Sequence, residues 1–204
     1  TLHMDHKLVI HKPIPKEGKL HLEKVISAVY DRGEGKGAKI NVDIIAKDGA
    51  GEPVFTNTMG YLNRWAGGFG GPKVPHSSVV IPEREADYQI KDAYPENVPL
   101  LYRLTGDTYP LHADPAFAKK AGFDRPIVHG LCSLGYACRM MIGALFPGEP
   151  ERMVSIENQF RAVALPGDHF TLCVWKTGEN EALFRMVKDS DGKAILDYGR
   201  MTWK

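Results

Sequence analysis

Apolar residues in the second half of the chain recur at the three- and four-residue steps of one long α-helix. The positions between them are mostly small or apolar too, and Arg139 is the only charged residue from Gly130 to Pro147. A helix that is apolar on nearly all sides is buried in a protein core, and this run is shorter than the ~20 residues that span a bilayer. We therefore predict a buried helix beginning at Gly130. The recurring residues are Leu131, Leu134, Cys138, Met141, Ile142 and Leu145.

Two other segments share the pattern of a β-hairpin. Residues 42–62 read as a strand, a turn at Lys47-Asp48 and a second strand, and residues 183–203 repeat that order around Lys188-Asp189. Each hairpin is preceded by another pair of strands around a Pro/Gly turn. Coincidence is the alternative, since hairpins share turn chemistry, but the matched order predicts two copies of one sheet unit.

The stretch between the two copies has the composition of a linker. It begins with five residues that are Gly except for Phe69, and it is rich in proline and charge. We predict an N-terminal repeat over residues 1–66, a linker over 67–96 and a C-terminal repeat over 97–204, which holds all the helices.

The first copy has no apolar helix to cover its sheet. Its strands begin within a few residues of Thr1, whereas the second copy places helices ahead of its strands. A sheet must bury one face against another element. We therefore expect the inner face of the strands from Lys7 to Leu62 to be covered by a segment upstream of Thr1 or by another chain, or to lie unusually exposed.

Composition narrows the class of protein. The chain has 204 residues, 43% of them hydrophobic and 25% charged, with a net charge of +1, which is ordinary for a globular protein. No segment predicts a nucleic-acid surface, a signal peptide or a transmembrane span. The three cysteines, in apolar contexts, predict buried free thiols of a reducing compartment. His3 and His6 lack further ligands nearby, so we interpret them as solvated or strand residues and expect no metal.

Residues 105–112 carry the most suggestive chemistry. Asp107 and His112 lie on a turn that follows a short helix ending at Gly106, and Asp114 then has the position of an N-cap that starts the next helix. A carboxylate and an imidazole held between two helices can move protons. The alternative is that Asp107 only bonds the backbone of its own turn.

The start of the apolar helix is the second candidate feature. The first N–H groups of a helix have no partners within it and lie at the positive end of its dipole. Gly130 has no side chain to block a ligand oxygen that would accept those hydrogen bonds. The alternative is that Gly130 only permits a tight turn.

With these motifs, the chain resembles the hydratase 2, or MaoC-like, family of (R)-specific 2-enoyl-CoA hydratases. The resemblance covers nearly the whole chain, and its core is a long signature formed by residues 102–107, Pro110-Leu111-His112 and His129-Gly130-Leu131. It implies an α+β double hot-dog fold, with antiparallel sheets wrapped around a buried helix and an incomplete N-terminal repeat.

The resemblance also implies a mechanism. Asp107 and His112 would activate one water, which adds to C3 of a trans-2-enoyl-CoA and gives a (3R)-3-hydroxyacyl-CoA. The Gly130 N–H would hold the thioester oxygen of the enolate. No cofactor, nucleic acid or membrane partner is implied. A homodimer is expected, cytoplasmic in bacteria and peroxisomal in a eukaryote. Substrate contacts are implied for Tyr109, His129, Leu131 and Phe69.

One position departs from the family pattern. Tyr109 stands where the family usually has an asparagine whose amide positions the water or the substrate. We expect Tyr109 to line the mouth of the site and to tune substrate choice. A hot-dog thioesterase and a non-catalytic acyl-thioester binding module are the rival functions.

Overall fold

The strands form one antiparallel sheet. The computed structural model describes residues 2–204, and the nine strands in that part of the chain lie in the order β2-β3-β4-β1-β6-β9-β8-β7-β5. Three α-helices come between β5 and β6. The strands are β1 Leu2–Ile10, β2 His21–Asp31, β3 Ala38–Lys47, β4 Pro53–Asn63, β5 Tyr88–Ala93, β6 Met153–Phe160, β7 His169–Gly178, β8 Glu181–Lys188 and β9 Ala194–Trp203; the helices are α1 Val98–Tyr102, α2 Pro115–Lys120 and α3 Gly130–Leu145.

The sheet contains the two predicted copies of one unit. The order β2-β3-β4-β1 in the first copy reproduces the order β7-β8-β9-β6 in the second. The two copies join where β1 pairs with β6, with Leu8 opposite Ile156. Because β1 and β6 pair with each other, neither is an edge strand with unpaired backbone N–H and C=O groups. The double arrangement is confirmed, but it is one continuous sheet rather than separate sheets.

Helix α3 forms the core of the second copy, as its pattern predicts. Six of its residues are buried, and Ala137 and Met141 are completely so. The core also includes the β-strand residues Phe170, Phe184 and Leu196, which have no exposed surface. The sheet therefore curls around one helix, which leaves the N-terminus of α3 as the place where a ligand can approach the core.

The first copy has no such helix. Residues 2–97 contain strands, turns and loops, and α1 begins at Val98. On β2, Leu22 and Ile26 are 67% and 66% exposed. They pair with Ala46 and Val42, on the same face that α3 covers in the second copy. These two side chains are exposed in the single chain, and the covering of this face by an upstream segment or by another chain stays a prediction.

The segment predicted as a linker contains one strand. Residues 88–93 form β5, which pairs along its whole length with β7. Hydrogen bonding to β7 gives this stretch its regular structure, and the preceding residues 67–87 have no helix or strand. β5 adds to the second copy a strand that has no counterpart among the described residues of the first.

Two smaller predictions concern cysteine and histidine. All three cysteines are free thiols, as predicted; Cys132 is buried, whereas Cys138 and Cys173 are only half-buried. Burial raises the pKa of the Cys132 and Cys138 thiols to about 11. His3 and His6 lie on β1. The solvated alternative is wrong for His6, which is only 8% exposed, because its side chain faces into the junction of the two copies. No described helix is long and apolar enough to cross a membrane.

Candidate active site

A sharp helix end delivers Asp107 into the candidate site. α1 continues into one turn of 3-10 helix, Arg103–Thr105, and stops at Gly106. Gly106 has φ 120°, in the left-handed region that glycine enters without a steric penalty. The predicted helix, its glycine stop and the turn after it are all confirmed.

The far side of the turn is fixed by the next helix. Asp114 is the N-cap of α2, and its carboxylate accepts hydrogen bonds from the backbone N–H groups of Ala116 at 2.8 Å and Phe117 at 3.2 Å. Between the two helices, Pro110–His112 forms a single turn of 3-10 helix. The segment that carries His112 is therefore held by a helix on each side.

Asp107 and His112 converge with a third side chain, that of His129. Each residue offers one oxygen or nitrogen atom, and the three atoms lie within 4.8 Å of one another. One carboxylate oxygen of Asp107 accepts from the backbone N–H of Tyr109 at 3.2 Å. Asp107 thus bonds the backbone of its own turn and also lies beside the two histidines, because a carboxylate can accept several hydrogen bonds.

The hydrogen bonding of His112 fixes its tautomer. Its Nδ1 lies 2.8 Å from the carbonyl oxygen of Ile127. A carbonyl oxygen only accepts, so Nδ1 carries the proton and a neutral ring leaves Nε2 as the acceptor. Burial lowers the pKa of His112, against the opposing effects of the Ile127 hydrogen bond and the Asp107 charge. The base-competent neutral form is therefore favoured near neutral pH.

His129 lies directly beneath His112. The two imidazole rings are stacked with centroids 3.7 Å apart and planes 23° apart. His129 Nε2 donates to the backbone carbonyl oxygen of Asp107 at 3.2 Å. The residue is 1% exposed, so its side chain is covered by protein. Burial, and then the charge of His112, lower its pKa.

The cluster suits proton transfer better than metal binding. Three donors this close are a possible ligand set for a cation. However, His129 uses Nε2 to hold the Asp107 carbonyl and is buried, and His112 uses Nδ1 to hold the Ile127 carbonyl. Of the remaining atoms, His129 Nδ1 is buried without a hydrogen-bond partner, and the Asp107 carboxylate and His112 Nε2 form the candidate pair for proton transfer.

Gly130 begins α3 beside this pair. A Cβ atom built on Gly130 would lie 3.1 Å from two ring carbons of Phe160, closer than most side-chain contacts. The residue before the helix, His129, makes no side-chain capping bond. The N-terminus of α3 thus has no side-chain cap, and a side chain at Gly130 would require the ring of Phe160 on β6 to shift by a few tenths of an ångström.

The first copy of the sheet also reaches the site, which the sequence does not reveal. His3 on β1 stacks on Tyr61 of β4 with centroids 5.2 Å apart and approaches the Phe160 ring to 4.7 Å. Burial and the charge of Asp107 raise the pKa of Tyr61, so its phenol lies within electrostatic reach of the candidate acid–base pair. No signal along the chain identifies Tyr61, because the β1–β6 pairing that brings it here is tertiary.

The remaining predicted contacts lie at different distances from the pair. Tyr109 is 54% exposed, with its ring 5.4 Å from Phe117 and 6.3 Å from His112. Leu131 is half-buried and packs against the core. Phe69 is 52% exposed on a loop whose Gly68 and Gly70 N–H groups bond to Asp31. Substrate contact by Tyr109, Leu131 and Phe69 stays a prediction.

Comparison with known proteins assigns both halves of the chain. Residues 77–196 match the MaoC like domain, and residues 1–64 match the MFE-2 hydratase 2 N-terminal domain. A probable enoyl-CoA hydratase 2 of Dictyostelium discoideum is 36% identical over 202 residues, which are 97% of this chain and 68% of the relative.

Two further proteins are similar over nearly the whole chain. The peroxisomal multifunctional enzyme type 2 of Mus musculus is 35% identical over 199 residues, 96% of this chain but 26% of that enzyme. The crystal structure of a MaoC-like dehydratase from Phytophthora capsici superposes with a TM-score of 0.91 at 32% identity, covering 100% of this chain and 71% of the other. Together with the hot-dog order of the strands, these matches show that the chain belongs to the MaoC-like hydratase 2 family.

Proposed function

We propose that this protein catalyses the reversible syn hydration of trans-2-enoyl-CoA to (3R)-3-hydroxyacyl-CoA. The observation that carries the proposal is the pairing of Asp107 with a His112 whose Nε2 is left as an acceptor, at the bare N-terminus of α3. Relatives named as enoyl-CoA hydratases support the reaction class.

The proton moves through the acid–base pair. His112 Nε2 accepts a proton from a water that the Asp107 carboxylate orients, and the water oxygen adds to C3 of the enoyl thioester. The electron pair of the double bond moves toward the thioester oxygen, and C2 then takes up a proton from the same pair. General acid–base catalysis of this kind contributes typically about 10² to 10⁴ in rate.

The N-terminus of α3 would hold the negative charge that develops. The Gly130 N–H has no partner within the helix, and the helix dipole favours an anion there. An oxyanion contact of this type is worth roughly 3 kcal/mol in the transition state. The apolar core lies behind α3, whereas Asp107 lies on the exposed side of the site.

The rest of the molecule supports a dimeric enzyme. The exposed apolar face of the first copy, with Leu22 and Ile26, offers a surface for a second copy of the protein. We also propose that residues 1–66 and residues 97–204 are the two hot-dog repeats of this enzyme, joined by a linker over residues 67–96. A peroxisomal location would follow in a eukaryote, as the name of the mouse relative states for that protein, and a cytoplasmic one in a bacterium.

A test with crotonyl-CoA separates this function from its rivals. A hydratase lowers the enoyl absorbance without releasing free thiol and gives the (3R) product on chiral analysis. A thioesterase releases thiol, and a binding module does neither. Release of thiol, or an unchanged absorbance with well-folded protein, would overturn the proposal.

The residue assignment is tested by Asp107→Asn, which keeps the shape of the side chain and removes its charge. We expect kcat to fall by about 10² or more, because the carboxylate no longer orients or relays the proton. Asp124→Asn is the matched control, since Asp124 is an exposed carboxylate in the loop after α2. Equal activity of both variants would exclude Asp107 from the mechanism.

A further inference from the structure

We propose that His129 is a positioning residue for the Asp107/His112 pair, acting through a stacked ring and one hydrogen bond. The inference rests on the proposed function, in which Asp107 and His112 carry the chemistry. Its starting point is burial: His129 is 1% exposed, so its ring is packed against protein; the substrate contact that the sequence predicts for it stays a prediction.

The first contact fixes the main chain at Asp107. His129 Nε2 donates to the Asp107 carbonyl oxygen at 3.2 Å. That carbonyl belongs to the turn just after Gly106, where the chain leaves its helical path with φ 120°. A turn of this kind has few hydrogen bonds of its own, so a donor from the start of α3 ties the Asp107 backbone to the rigid core.

The second contact fixes the plane of His112. The ring centroids of His129 and His112 lie 3.7 Å apart. On its own side, the His129 ring is held by the ring of Tyr102, whose centroid lies 4.6 Å away. The Ile127 carbonyl holds one edge of the His112 ring, but a single hydrogen bond allows rotation about its axis. A flat, buried neighbour removes that freedom and keeps Nε2 directed at the water.

The charge state of His129 suits this role. Its Nε2 carries the proton that bonds the Asp107 carbonyl, while its Nδ1 is buried without a hydrogen-bond partner. An imidazolium there would bury a second, unpaired N–H donor and a charge. A neutral ring adds no second positive charge beside His112, which matters because His112 becomes transiently charged during proton transfer.

Two variants separate positioning from bulk structure. His129→Gln retains a side-chain N–H donor at the distance of Nε2, and His129→Leu keeps the volume but removes both the donor and the ring. We expect His129→Leu to lose about 10- to 100-fold in kcat with little change in KM, because misplacing catalytic groups by an ångström has effects of that size. His129→Gln should recover a substantial part of the loss. His21→Leu, at an exposed histidine of β2, is the control.

The measurements are steady-state kinetics with crotonyl-CoA, thermal unfolding and imidazole ¹⁵N NMR. In the wild type, we expect His112 as the Nδ1–H tautomer and His129 as the Nε2–H tautomer; in His129→Leu, His112 should show a mixture of tautomers. Wild-type kcat and an unchanged His112 tautomer in His129→Leu would overturn the inference. Parallel changes of kcat and KM that follow thermal stability, with no recovery in His129→Gln, would do the same.

The two proposals fail in different ways. Absence of hydration by the wild-type protein would overturn the proposed reaction. The NMR tautomers need no turnover, so they still decide whether His129 orients His112.

Discussion

At the scale of single residues, the chemistry depends on which atoms are already occupied. His112 Nδ1 donates a hydrogen bond to the Ile127 carbonyl oxygen, and one carboxylate oxygen of Asp107 accepts a hydrogen bond from the Tyr109 N–H. What remains is one imidazole nitrogen and part of one carboxylate, directed at the same space. These neighbours are backbone groups, and they leave the two side chains free for the role of the proposed acid–base pair.

Tyr109 is the residue at which this chain departs from the asparagine usual in its family. Its ring leans on Phe117 rather than on His112, with centroid distances of 5.4 Å and 6.3 Å, and half of it is exposed. We predict that Tyr109→Asn keeps measurable hydratase activity and alters the preference among enoyl-CoA chain lengths, because it removes a bulky ring from the mouth of the site. The check is kcat/KM for a series of acyl lengths; an unchanged ranking would show that Tyr109 has no part in substrate choice.

At the scale of secondary-structure elements, the start of α3 is the most constrained point. The helix is buried behind its first turn, while the ring of Phe160 from β6 lies against Gly130. A side chain at this position would come within 3.1 Å of that ring.

We predict that Gly130→Ala lowers kcat by at least about 10-fold, because the methyl group displaces Phe160 and crowds the oxyanion, whose contact is worth a few kcal/mol. Stability should change little, since alanine favours the helix by up to about 1 kcal/mol and offsets part of the crowding. Gly143→Ala, in the same helix with no atom within 4 Å of the added Cβ, is the control. A Gly130→Ala enzyme with full kcat would rule out the oxyanion contact.

Strand β1 introduces a pH dependence of its own. Burial lowers the pKa of His3 to about 4, and burial together with the charge of His3 lowers that of His6 to about 4, against an ordinary value of 6.5. An unfolded chain therefore binds more protons than the folded one between these values. Stability from these residues is fully present above pH 6.5 and is lost as the pH falls toward 4.

We predict that the free energy of unfolding decreases from pH 7 to pH 4.5 by roughly 2–4 kcal/mol, since each unit of pKa difference is worth about 1.4 kcal/mol and the two histidines are coupled. Urea titrations across this range measure it. The double variant His3→Phe with His6→Leu should flatten the dependence, whereas His21→Phe on the exposed edge of β2 should not. An equally steep decline in the double variant would assign the effect to other groups.

At the scale of the whole molecule, the continuous sheet explains why the two halves differ. The second copy wraps its own helix and buries its apolar face, while the first shows the same strand order with that face open. The junction of β1 with β6 places Tyr61 and His3 next to the site of the other copy. The first copy thus contributes side chains beside the candidate site, whose proposed reacting groups all come from the second.

The open face leads to a prediction about association. We expect the protein to self-associate in a concentration-dependent way, because contiguous exposed apolar surface is unfavourable in water. Ile26→Glu should weaken association, since Ile26 is 66% exposed on the open face. Val25→Glu is the control, because successive strand residues point to opposite faces. Sedimentation equilibrium tests both; a wild type that stays monomeric at every concentration would contradict the prediction.

The sequence alone determined the features that depend on local periodicity and turn chemistry. The buried helix from Gly130, the stop at Gly106, the N-cap at Asp114 and the paired hairpins each follow from spacing within a few residues. The local placement of Asp107 and His112 on one turn, and their family, could be predicted because a long motif and its flanking helix signals are contiguous in the chain.

Only the tertiary structure decided what distant segments do to one another. The β1–β6 pairing, the single sheet, the strand within residues 88–93 and the approach of Tyr61 depend on contacts between residues far apart in the chain. The burial of His129 and its stacking on His112 are visible only in the tertiary structure, and the substrate contact that the sequence predicts for this residue stays a prediction. Burial and stacking arise from packing over the whole molecule, whereas periodicity reports only which face a residue occupies within its own element.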